Sequence, residues 1–172
     1  MAAIDLNNFI WSLAQYMAVR CAAQTPAVTL QLLNTPRSLW VHEAVESDST
    51  AGSPNTDDPY SILRITGGPP TAKDPQPRAT MQMMTTGTSR AAAIQRAQCL
   101  YESLLYLPTD PLPLQPINGL TIPGYLMGTN TAAGNWRIIA FDPIQRPGYI
   151  GVDSRNRPLV SFNFQVGFVP LS

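Results

Sequence analysis

Few side chains in this sequence could do chemistry, and their spacing argues against it. The single histidine, His42, would have to serve any Ser/His/Asp or Cys/His arrangement, and neither Cys21 nor Cys99 lies near it in sequence. A hydrolase built on His42 and the neighbouring acids therefore ranks last among the function classes. His42 with Glu43 and Glu46 offers a weak metal cluster, but the spacing matches no established ligand pattern, so His42 reads as an ordinary strand residue. Asp48 and the pair Asp57-Asp58 could bind a hard cation; no glycine-containing calcium loop surrounds them, and they read as solvated loop acids. Gly67-Gly68 follows a strand pattern, as a phosphate cradle would, but Pro69-Pro70 then removes the backbone N–H groups a cradle uses. Each cysteine falls inside a helical pattern with no C-x-x-C motif, and both read as buried free thiols. The expectation is a protein that is not an enzyme and has no catalytic residue, no metal and no cofactor.

Contact chemistry is better represented. Arg146, Arg155 and Arg157 flank the connection 144–158, and with Tyr149 they could grip a nucleic-acid backbone or an acidic partner surface. Alternatively they keep a turn soluble, or pair with Asp142 and Asp153. Trp11, with Phe9 and Tyr16, widens the apolar surface of an N-terminal helix beyond a simple stripe, which makes it a candidate for contact with another chain. A broad core face is the competing reading, and burial tendencies favour it. Of the eleven basic residues only Lys73 is a lysine. That skew suits interface pairing through the planar guanidinium, although compositional bias explains it equally well.

These residues need elements to hold them. A chain of 172 residues fits one domain, expected over 1–172, and can bury a core without disulfides or metals. Charged residues make up 13% of the chain, against about a quarter in an average globular protein, which favours a surface partly covered by partners. Eleven acids balance eleven bases, so charge gives no argument for nucleic-acid or membrane binding. Near the start, Asn7, Asn8, Ser12 and Gln15 interrupt the apolar residues, and no basic run leads them. The expectation is neither signal peptide nor membrane span, and folding in a reducing cytoplasm.

Periodicity predicts a helix over 5–23, with Leu6, Ile10, Leu13, Met17 and Cys21 in one stripe and Asp5 as cap. Short strands follow at 38–44 and 61–66, separated by the polar loop 46–60, and a further strand at 79–86 puts Met81 and Met83 on one face. Thr88-Ser89 caps a second helix whose stripe is Ala93, Ala97, Leu100 and Leu104. Residues 107–134 are dominated by proline and glycine yet too apolar for a disordered linker, so Leu112, Leu114, Ile117, Leu120, Ile122, Tyr125 and Leu126 must be buried on this chain or a neighbour. A strand at 136–141 is expected to end at Asp142-Pro143, and 159–169 is a long strand with Val160, Phe162, Phe164, Val166 and Phe168 on one face. Neighbouring strands with few helical crossovers predict an α+β fold: a mainly antiparallel sheet, both helices packed on one face, and long Pro/Gly-rich loops.

The element order, and the run Arg146-Pro147-Gly148-Tyr149-Ile150-Gly151-Val152-Asp153 through Arg157 into Phe162-Asn163-Phe164-Gln165-Val166, resemble the minor capsid or tail-terminator proteins of long-tailed bacteriophages. Residues 146–166 carry the likeness in sequence, and 107–134 would be a loop insertion. The resemblance implies a homohexameric ring that caps the tail tube and joins it to the neck. Its partners would be copies of itself, the tail tube protein and a neck or head-completion protein, with DNA passing only transiently through the lumen and no membrane involved. It would be made in the host cytoplasm and reside in the virion. A head-completion or stopper protein of the neck is the near alternative. A small non-viral adaptor or binding domain, using the loop face around Tyr149, is the alternative from another class.

Overall fold

The computed structural model describes residues 5–33, 37–41, 59–67, 78–105 and 119–171. In chain order the elements are α1 (Leu6–Ala22), β1 (Leu39–Val41), β2 (Ser61–Gly67), β3 (Arg78–Thr86), α2 (Arg90–Leu105), β4 (Thr121–Tyr125), β5 (Ala132–Val152) and β6 (Pro158–Leu171). The strands form one six-stranded sheet in the order β1-β2-β3-β6-β5-β4. The β1–β2 pair is parallel, and the other pairs are antiparallel. The chain is thus α+β with a mainly antiparallel sheet, as its periodicity predicts.

α1 starts where Asp5, in extended conformation, accepts hydrogen bonds from the amides of Asn7 and Asn8 through its carboxylate. Its buried residues include Phe9, Ile10, Leu13, Met17 and Cys21. β6 is the centre of the fold. Val160, Phe162, Phe164, Val166 and Phe168 are all buried, as strand alternation requires of residues on one face. Both helices contribute to the same core as this face: Phe9 of α1 stacks on Phe168 at 3.6 Å between ring centroids and meets Trp136 edge-on, and Tyr101 of α2 meets Phe162 edge-on. Met81 and Met83 of β3 complete this layer, while Trp40, Tyr60 and Ile62 form a small cluster of their own with Met84 packed against it.

Three expectations need correcting. β5 does not end at Asp142-Pro143: it continues to Val152, with register shifts against β6 after Ile138, Pro143, Gln145 and Tyr149. Each shift leaves an extra residue on β5, and prolines fit because among the described residues β5 has no neighbour on its outer side there. Only 153–157 turns, with Asn156 in the left-handed region at φ 61°. Second, β4 lies inside the segment read as proline- and glycine-rich. Pro123 sits on the outermost strand, and Gly124 permits an approach at which a Cβ would lie 1.7 Å from the Gly134 carbonyl oxygen. Third, β1 pairs in parallel with β2, a relation the spacing did not suggest; residues 42–44, expected in the same strand, lie outside the described residues.

Candidate interaction surface

The hairpin joining β5 to β6 is organised by one carboxylate. Asp153 Oδ1 accepts from the amides of Arg155 (3.0 Å) and Arg157 (2.8 Å). Its Oδ2 accepts from Arg157 Nε at 2.7 Å and from the Tyr60 hydroxyl at 3.2 Å. The Arg157 guanidinium also lies over the Tyr60 ring, 4.8 Å from its centroid. Burial of the Asp153 carboxyl opposes ionisation, but the Arg157 and Arg155 amides and the Arg157 guanidinium outweigh it, holding the pKa below the usual aspartate value. Arg157 is therefore committed to the turn and to Tyr60 through its pairing with Asp153.

Tyr149 is half-exposed on β5, and the Arg90 guanidinium at the start of α2 lies 4.2 Å from its ring centroid. Arg146 and Arg155 are exposed. Trp11 leaves the set of contact residues: it is buried, and its indole N–H donates to the Thr129 carbonyl at 2.9 Å. The sequence reading missed the apolar side chains around Tyr149. Ile144 (59%), Ile150 (51%) and Val152 (49%) are among the most exposed large hydrophobic residues of the chain. They follow one another along a stretch of β5 whose outer side is unpaired among the described residues. The β4 register reaches Arg137, and Leu120 and Gly119 extend the pairing only to Ile138. Their sequence signal is weak, because Pro143, Pro147, Gly148 and Gly151 interrupt any alternation across this stretch.

His42, Glu43, Glu46, Asp48, Asp57, Asp58, Gly68 and Lys73 lie outside the described residues. Cys21 and Cys99 are both buried free thiols, with Cys99 Sγ directed at the Cys21 carbonyl oxygen at 3.9 Å. The Cys21 thiol is pushed up, first by its hydrogen bond with Cys99 and then by burial. No group of three or more His, Cys, Asp or Glu residues gathers at metal-binding distance among the described residues. Arg96 of α2 turns inward: Nε donates to Ser61 Oγ and Nη2 to the Ser38 carbonyl, both at 3.0 Å, and desolvation lowers its pKa to about 10.

The surface around β5 thus offers apolar area, an aromatic ring and arginines, which is equipment for contact. No known family of proteins matches this chain, and no curated protein is significantly similar to it. Among the described residues no helix is long and apolar enough to cross a membrane.

Proposed function

We propose that this chain is a structural protein that works by self-association, a tail-terminator-like subunit whose ring caps a phage tail tube and joins it to the neck. The observation that carries this reading is the exposure of Ile144, Tyr149, Ile150 and Val152 along the stretch of β5 whose outer side no described residue pairs. Tyr149, Ile150 and Val152 fall in the segment 146–166, whose sequence resembles the terminator family. Exposed apolar side chains clustered on one element mark contact surfaces in soluble proteins. A closed ring needs two different faces that fit each other, so the β5 row would supply one face and another part of the next copy the second. The tube protein and a neck protein are the proposed axial partners, the virion tail or neck the proposed location, and DNA would pass through the lumen. A head-completion or stopper protein of the neck would use the same surface.

Light scattering over a range of protein concentrations, followed by negative-stain imaging, tests this. Six-fold rings, or a monomer that forms rings only on tail tubes, are the expected outcome. Ile150→Glu together with Val152→Glu, both at half-exposed positions, should leave the monomer folded and abolish the ring. A chain that stays monomeric or dimeric and ignores tubes would replace this reading with that of a small adaptor domain binding through the Tyr149 face.

A further inference from the structure

Away from β5, the segment after α1 and the connection from β3 to α2 border a surface cavity of about 300 Å³, whose walls include Thr29, Pro59, Thr86, Gly87, Gln95 and Arg96. Arg96 is fixed in place by two neutral acceptors, the Ser61 hydroxyl and the Ser38 carbonyl. Neither brings negative charge, and among the described residues no carboxylate pairs with this guanidinium. A poorly solvated cation without a counter-charge is costly to hold.

The geometry says which donors remain. Nε and one N–H of Nη2 face the two serines, which occupies one edge of the planar group. Nη1 and the second N–H of Nη2 are left, and two such parallel donors match two oxygens of a phosphate or carboxylate. The other donors around the cavity are mostly committed. The Thr86 hydroxyl donates to the Tyr60 carbonyl while accepting from the Tyr60 amide, and Ser89 takes the amides of Ala92 and Ala93 at the start of α2. The site therefore rests on Arg96, with the exposed Gln95 amide as a second donor, and not on the helix terminus.

We propose that Arg96 and the cavity beside it form an oxyanion-binding site, filled by a phosphate group or a carboxylate that supplies the counter-charge no described residue places there. This site is independent of the β5 surface and of the ring. Its oxyanion can come from solution or from an acidic side chain of a second copy.

Thermal melting of the full chain at constant ionic strength, with inorganic phosphate or acetate replacing chloride, tests the proposal. Phosphate at ten times its Kd should raise Tm by roughly 3–6 °C. Arg96→Gln should lose this rise. Because that variant also loses the bonds to Ser38 and Ser61, Thr29→Asp provides a check with Arg96 intact. A carboxylate on the cavity wall should raise Tm in phosphate-free buffer and remove the phosphate increment. A Tm that rises with protein concentration alone, in native chain but not Arg96→Gln, would support the proposal with a second copy as the source. Three results would overturn it. One is no anion-specific increment and no concentration dependence; another is an equal phosphate increment in Thr29→Asp. The third is an increment that appears only when Asp57 and Asp58, which precede Pro59 in sequence, are changed to Asn, since the counter-charge would then be internal.

Discussion

Asp153 shows how much one side chain can organise. It closes the β5–β6 turn, anchors Arg157 and reaches Tyr60 next to β2, so it ties a hairpin tip to the opposite part of the sheet. Asp153→Asn keeps the shape but weakens charge-assisted bonds, and should cost about 1–3 kcal/mol in urea unfolding at pH 7. The pH dependence has a definite sign. Because the folded-state pKa lies below the unfolded one, this stabilisation is full above the unfolded aspartate value of about 4 and is lost as pH falls through the folded value. Urea curves at pH 7 and pH 5 should therefore show the same gap between native chain and Asp153→Asn, and the gap should shrink below about pH 4. A gap that widens on acidification would contradict the assignment. Phe9 is a second test at this scale, since it is fully buried and stacked on Phe168. Phe9→Ala should lose about 3–5 kcal/mol by the same measurement.

Among the elements, β4 and β5 are the informative ones because their residues break the usual rules for strands. β4 contains Pro123 and Gly124, and β5 contains Pro143 and Pro147. Prolines are tolerated where one side of a strand lacks a neighbour, and they also blunt that side against uncontrolled pairing. The apolar side chains of β5 therefore suit contact through side chains better than extension of the sheet through its backbone. Gly124 is required for a different reason: a methyl group there would overlap the Gly134 carbonyl and press on Trp136 Nε1. Gly124→Ala should destabilise by at least about 1–3 kcal/mol, seen as a lowered urea midpoint. Near-native stability would mean that β4 is not seated against β5 as described.

For the whole molecule, zero formal net charge and an exposed apolar row predict how association responds to salt. If burial of Ile144, Ile150 and Val152 drives it, raising salt from about 0.05 to about 0.5 M should leave the native mass unchanged, since only charge interactions between exposed groups are screened. Dissociation at high salt would instead assign the interface to Arg146 and Arg155. Light scattering at the two concentrations separates these outcomes.

Sequence alone determined the two helices, the alternation that buries one face of β6, and the placing of Met81 and Met83 on one face, because each depends on a period that the backbone imposes locally. It also brought Arg157 and Asp153 close enough to be considered partners, four residues apart. Only the tertiary structure decided that Trp11 faces inward, since a helix does not reveal which of its aromatic positions a distant loop such as 126–131 will cover. Only there do Pro123, Pro143 and Pro147 become strand residues, because a breaker is harmless at an edge and edges are a property of the assembled sheet. The same holds for Arg96. Its contact with Ser38 and Ser61 exists because the fold brings the start of β1 and β2 beside α2, which no local pattern reveals.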